Sequence, residues 1–159
     1  MSIEIREGRP GEASLVAHLF FKLFEKNHDF LPTVEGYILN SIAEYYDDYE
    51  DNGLWVIDDN GEVKGANSAV KKGENLAQLR LFCIHESLQS KGYGNRLLEI
   101  AMDFCRKMNY NHVILWTVDI CSEARHLYSK FGFELTETKE NTEWADYKMT
   151  EEKWEVELE

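Results

Sequence analysis

The chain has 159 residues, 43% of them hydrophobic, enough for one compact domain with a substantial core. With 30 acidic residues against 17 basic ones its formal charge is −13, which excludes a surface built for DNA, RNA or anionic lipid, and no local run of Lys or Arg makes an exception. Nothing between Met1 and Glu7 has the apolar core of a signal peptide, and no apolar run has the length of a membrane span, so a cytoplasmic protein is expected.

Ile3 and Ile5 alternate with acidic neighbours in a first short strand. Pro10-Gly11-Glu12 opens a helix carrying Val16, Leu19, Phe20 and Leu23 at helical spacing. Pro32-Thr33 opens a second, whose stripe Val34, Tyr37, Ile38, Ile42 and Tyr45 is predicted to be buried. Three strands follow: Leu54 to Ile57 turns at Asp58-Asp59-Asn60-Gly61 into Val63 to Val70, which turns at 71–75 into Ala77 to Ile84. Strict alternation in the last of these puts Leu79, Leu81 and Cys83 on one face and Gln78, Arg80, Phe82 and Ile84 on the other.

A helix with Leu97, Leu98, Ala101, Phe104 and Cys105 inward precedes the β-branched and aromatic run His112 to Val118, which predicts a right-handed parallel crossover. Ala124, Leu127, Tyr128 and Phe131 mark a short helix stopped by Gly132, and Phe133 to Thr138 and Lys153 to Leu158 read as closing strands. The expected class is α/β with a mixed sheet, in the order β-α-α-β-β-β-α-β-α-β-β, with residues 1–159 as one domain. The acidic clusters 47–51 and Glu155, Glu157, Glu159 read as solvated surface. Cys83, Cys105 and Cys121 lack CxxC spacing and read as reduced thiols, and five scattered histidines predict no metal.

Between the fourth strand and its helix stands Gln89-Ser90-Lys91-Gly92-Tyr93-Gly94. Two glycines free the backbone for positive φ and remove Cβ atoms from the path of a ligand. Successive amides at a helix N-terminus form an anion site suited to a phosphate, with Gln89, Lys91 and Arg96 as extra donors. The third glycine of a dinucleotide fold is absent, and the missing GK[ST] excludes a Walker loop.

These residues match the [QR]-x-x-G-x-[GA] signature of the GNAT superfamily of acyl-CoA-dependent N-acetyltransferases, which the chain resembles. Leu81-Phe82-Cys83-Ile84 looks like that family's fourth strand, and Ala124-Arg125-His126-Leu127-Tyr128-Ser129-Lys130-Phe131-Gly132-Phe133 resembles its A-x-x-x-Y-x-K-x-G-F motif. More narrowly, Ala77 to Leu81, Leu115-Trp116-Thr117 and 154–158 resemble the acetyltransferase half of proteins that fuse it to a MarR-type regulator; the regulator itself is not expected, since the first residues already read as the first strand.

The resemblance implies a wedge between splayed fourth and fifth strands that holds acetyl-CoA as co-substrate. Phe82, Cys83 and Ile84 would pair with pantetheine, and Ser90, Lys91, Gly92, Tyr93, Gly94 and Asn95, with Gln89, would hold the pyrophosphate. An amide near Ile84 would face the thioester oxygen. Tyr128 matches the tyrosine that protonates the departing thiolate, although packing alone also accounts for it. No base emerges: Gln78, Arg80 and Trp116 stand where relatives carry one, His85, Glu86, Glu74 and Asp119 read as strand-end residues, and a water chain serves as well. Cys121 replaces a frequent Asn, losing one cofactor hydrogen bond, and Ser122 is expected as the helix cap.

Gln78, Arg80 and Trp116 are the expected substrate-side residues, with Arg80 either receiving a carboxylate of the acceptor or pairing with an acidic side chain. Trp55, Tyr45, Tyr46 and Trp116 would supply apolar walls, or simply core. The implied function is transfer of acetyl from acetyl-CoA to a primary amine of a small molecule by a monomer or homodimer. Two alternatives stand beside it: acetylation of a protein N-terminus or lysine, and a non-catalytic acyl-CoA-binding sensor.

Overall fold

The computed structural model describes residues 2–158, so Met1 and the Glu159 of the acidic tail lie outside the described residues. Seven strands and four helices occur among them: β1 (Ile3–Glu7), α1 (Glu12–His28), α2 (Thr33–Asp47), β2 (Gly53–Asp59), β3 (Glu62–Gly73), β4 (Leu76–Ile84), α3 (Tyr93–Lys107), β5 (His112–Val118), α4 (Ser122–Lys130), β6 (Glu134–Asn141) and β7 (Met149–Glu157). A single 3-10 turn, Glu86–Leu88, adds to the expected order. One sheet runs β1-β2-β3-β4-β5-β7-β6, antiparallel except for the β4–β5 pair, as the helical crossover requires. The architecture is the mixed α/β class expected.

Two cores flank the sheet. On one side Val16 of α1 and Val34 and Ile38 of α2 pack on Val56, Ala66, Leu81 and Cys83. On the other, α3 buries Leu97, Leu98, Ala101, Met102 and Cys105 against Trp55, Leu79, Val113 and Leu115, and Tyr128 joins them. Each of these large side chains contributes about 1.5–3 kcal/mol by leaving water. The α2 stripe is narrower than expected: Tyr37 is 38% exposed, and α2 turns only Val34, Ile38 and Ser41 fully inward against the sheet and α1.

Asn60 and Gly61, at φ 55 and 94, form the tight turn between β2 and β3. At the start of α1, Arg6 grips both oxygens of Glu12 at 2.7 and 2.8 Å and reaches Asp58 at 3.1 Å, tying β1 to α1 and β2. The Arg6 guanidinium holds the Glu12 carboxyl down at about 2.

Strict alternation fails in β4. Register with β3 skips between Ala66 with Cys83 and Ser68 with Arg80, so β4 carries one extra residue there, and Leu81 has φ 60. The bulge exchanges faces. Gln78 and Arg80 lie on the α1–α2 side together with Leu81 and Cys83, whereas Phe82 and Ile84 join Ala77 and Leu79 on the α3 side. The α3-side face is thereby kept wholly apolar.

Candidate active site

Pairing between β4 and β5 ends at Leu79 with Leu115. Beyond that point the strands part, β5 keeps its antiparallel ladder with β7 through Val118 and Glu151, and a wedge opens. The bulge lies at the mouth of this opening, where it turns β4 away from β5.

Two connected spaces occupy the wedge. An outer cleft of about 400 Å³ runs past Phe82, Cys83, Ile84 and Gln89 on one wall, Cys121 to Ala124 on the other, and Asn27 and His28 of α1. An inner chamber of about 130 Å³ lies among Phe20, Tyr37, Gln78, Arg80, Trp116, Trp144 and Tyr128. Phe24, Phe82, Cys121 and Ala124 border both, which makes them the neck between the two.

The loop beside the outer cleft takes two left-handed residues, Ser90 at φ 62 and Gly92 at φ 88, before α3 begins at Tyr93. No side chain caps α3, so its first amides keep their donors for another acceptor. Gly94 is needed for a different reason: a Cβ there would stand 3.3 Å from both Ile84 and Leu127 and 3.4 Å from Phe82. Gln89 donates to the Ile84 carbonyl at 3.0 Å, so its side chain fastens the loop to β4. Arg96 stacks on Tyr93 at 5.5 Å, and Lys91 and Asn95 lie on or near the loop surface.

Tyr128 of α4 is buried against Phe82 and Phe133, and burial raises its phenol above the ordinary range. Cys121, not Ser122, occupies the cap position of α4, since the helix bonds from Arg125 N–H back to the Cys121 carbonyl. Burial pushes the Cys121 thiol up to about 11, keeping it neutral beside Tyr128.

On the chamber wall Arg80 Nη1 donates to Glu44 at 2.6 Å, and the guanidinium lies 5.3 Å from the centre of the Tyr37 ring. Lys72 bonds the other Glu44 oxygen. Gln78 is buried and Trp116 half-buried, the latter under the Lys139 ammonium at 4.7 Å. Of the strand-end residues considered as bases, His85 caps Ser87, Glu86 pairs with Lys26 at 2.5 Å, and Asp119 accepts from the Thr150 amide. Trp55 packs under α3 at the opposite face, edge-on to Phe104, and Tyr45 and Tyr46 pack on each other; none of the three borders the chamber.

Phe24, Phe30, Ser41, Trp144 and Glu151 line the chamber but escaped the sequence reading, the last two from the C-terminal segment. Trp144 sits in the loop between β6 and β7, held by Asn141 Oδ1 and by its carbonyl's bond to Leu31. Glu151 is the third residue of β7, a strand that starts four residues earlier than expected. Alternation carried back from Lys153 and Glu155 puts Glu151 and Met149 on the face opposite Trp154 and Val156, the signal that would have found it. Among the described residues no cluster of three or more His, Cys, Asp or Glu side chains is arranged to hold a metal ion, and no helix is long and apolar enough to cross a membrane.

A family model described as the acetyltransferase (GNAT) family matches residues 17–133. The chain belongs to the GNAT acetyltransferase family. Among its relatives, N-acetyltransferase family 8 member 2 of Rattus norvegicus is 33% identical over 88 residues, 52% of this chain and 39% of that protein. The N-acetyltransferase YjgM of Escherichia coli is 27% identical over 99 residues, 59% of each chain. The matches therefore span 39% and 59% of these two relatives, less than two thirds of either. In fold it is similar to the acetyltransferase yncA of Salmonella typhimurium, described with its cofactor acetyl-CoA, at a TM-score of 0.76 and 16% identity over 100% of this chain and 95% of that one. The GNAT fold so identified has its sheet open where β4 and β5 part.

Proposed function

We propose that residues 1–159 form one cytoplasmic GNAT domain that moves acetyl from acetyl-CoA to a primary amine of a small, carboxylate-bearing molecule, by direct attack in a ternary complex. One observation carries it: a helix N-terminus without a side-chain cap adjoins a cleft between parted strands, and that cleft leads to a buried tyrosine. The solved relative described with acetyl-CoA supports the choice of donor. The finer likeness to the acetyltransferase half of MarR-type fusions rests on the same three segments and belongs to this proposal.

In this assignment the amides of Ser90 to Asn95 take the pyrophosphate, and the backbone of Phe82, Cys83 and Ile84 takes pantetheine as an added strand. The Ile84 amide stabilises the oxyanion as the amine nitrogen bonds to the thioester carbonyl carbon. Collapse breaks the C–S bond, the electron pair leaves on sulfur, and the Tyr128 phenol supplies its proton. Burial holds the Tyr128 phenol neutral, so its proton is present to be given to the departing thiolate. The proton that the new amide nitrogen sheds restores Tyr128.

Gln78, Arg80 and Trp116 face the acceptor. The chamber's small volume, bounded on one side by Trp144, favours a metabolite over a polypeptide. Two measurements test the proposal together: calorimetry with acetyl-CoA, and release of free CoA thiol in the presence of an amine pool. Micromolar binding with amine-dependent thiol release is expected. Binding without turnover makes the chain an acyl-CoA sensor, and no binding removes the donor.

A further inference from the structure

The chamber walls combine three chemistries that no single interaction in the protein uses up. Six aromatic rings, Phe20, Phe24, Phe30, Tyr37, Trp116 and Trp144, give it an apolar body. Glu151 is the one carboxylate among its described lining residues. Its Oε2 accepts from Asn141 Nδ2 at 3.2 Å, and no cation among the described residues pairs with it. Lys139, directly across the β6–β7 register, is turned onto the Trp116 ring instead.

Arg80 brings the opposite charge. Only its Nη1 is bonded, to Glu44, while Nε and Nη2 have no hydrogen-bond partner. Glu44 is itself shared with Lys72, so one negative charge stands against two positive ones. An arginine in that position retains an unmet demand for an anion.

We infer that the acceptor is an apolar α-amino acid, bound with its ammonium at Glu151, its carboxylate at the free edge of Arg80 and its side chain among the rings. The assignment rests on the acetyl-transfer reading above and adds the chemical class of the acceptor. Geometry permits one molecule to reach both charges. Arg80 follows the last β4–β5 pair, and Glu151 lies two strands over and two residues along from the level of Trp116. With β4 and β5 parted beyond Leu79, the two Cα atoms stand at least ~12 Å apart, a gap that two inward side chains narrow toward the span of a zwitterion. Val118, opposite Glu151, lies where the wedge is open, so the ammonium end is the one that lies toward the neck and Tyr128.

Size narrows the class further. The space is about 130 Å³, close to the roughly 150 Å³ of an apolar cavity that accommodates benzene. One ring or one branched chain fits. A polyamine leaves Arg80 without its anion, and a dicarboxylate brings a second negative charge to Glu151.

The test uses the full chain and thiol release with five acceptors: phenylalanine, leucine, phenethylamine, glutamate and spermidine. Phenylalanine or leucine is expected to give the highest kcat/KM, about tenfold or more above phenethylamine, the scale of one charge-assisted hydrogen-bonded contact. Glu151→Gln keeps an oxygen for Asn141 and so keeps the fold; it should raise the amino-acid KM about tenfold while the acetyl-CoA KM stays within about twofold. Glu151→Asp, which restores the charge at shorter reach, should recover part of that loss, as a purely structural role would not. Arg80→Met should erase the preference for phenylalanine over phenethylamine. Preference for glutamate, spermidine or phenethylamine overturns the inference, as does an amino-acid KM indifferent to Glu151→Gln. Calorimetry with acetyl-CoA separates the levels: binding without turnover of any of the five refutes the acceptor class alone, whereas no binding refutes the donor.

Discussion

The ring of Phe82 stands edge-on to the ring of Tyr128, with centroids 6.0 Å apart and planes at 60°. This contact exists because the extra residue at Leu81 turns Phe82 to the α3 side of the sheet. Without the bulge Phe82 would face α1, and the phenol would lose the wall that fixes it. Tyr128→Phe should therefore fold normally yet lower kcat by about 10²–10⁴, the usual worth of a positioned acid, with the acetyl-CoA KM little changed. Stopped-flow thiol release checks it.

The same tyrosine sets a limit on the alkaline side. In the proposed role the neutral phenol is the form that donates, and burial raises its pKa, so deprotonation sets in above the ordinary value of about 10. Activity should hold from neutral pH up to about 10 without a falling limb from this group. A kcat that declines with an apparent pKa near 9 would show that another group, or an exposed tyrosine, supplies the proton.

Gly92 and Gly94 should fail in different ways. At Gly92 there is open space for a Cβ but φ is 88, so Gly92→Ala costs roughly 1–2 kcal/mol of backbone strain and leaves the core untouched. At Gly94 the obstacle is packing against Ile84, Leu127 and Phe82, and Gly94→Val should distort the neck and cost about 1–3 kcal/mol. Thermal melts give both numbers, and calorimetry should show weaker acetyl-CoA binding in each.

Glu152 is buried in β7, where Oε1 accepts from Arg125 Nε at 2.8 Å and Trp154 Nε1 at 3.2 Å. Arg125→Ala strands that carboxylate, at a cost of about 2–4 kcal/mol in urea unfolding. Glu152→Gln, which keeps an acceptor oxygen without the charge, should cost distinctly less.

The grip of Arg6 on Glu12 predicts an acid limb. Glu12 titrates at about 2 in the folded chain, below the roughly 4.3 of an unfolded glutamate. A depressed folded pKa means the stabilisation is complete above the unfolded value and is lost as pH falls through the folded one. Stability should therefore drop between about pH 4.3 and 2, and Glu12→Gln should flatten that part of the profile while lowering neutral-pH stability by about 1–2 kcal/mol. Equilibrium unfolding across pH 2 to 7 decides it.

The element order was legible because period and punctuation were strong: the Asn60-Gly61 turn, the stripe of α3 and the glycines before Tyr93 each leave a local signature. The face-switch at Leu81 left none, since leucine gives no hint of positive φ and the bulge is decided by pairing with β3. Arg80 was legible as a chamber residue, but its hold on Glu44, 36 positions away, is a product of how α2 lies across the sheet. Glu151 and Trp144 were hidden for another reason. Both belong to a segment whose polar composition reads as surface until the fold brings it back over α1 and α2.

Strand β7 follows β6 along the chain yet lies between β6 and β5 in the sheet. During synthesis β6 therefore emerges with no strand to bond, and it stays an unsatisfied ribbon until β7 arrives and threads the gap. Glu151 comes with that latecomer. The loop before α3 is thus complete in the chain well before Met149, whereas the chamber gains Glu151 only when β7 fills its place between β5 and β6.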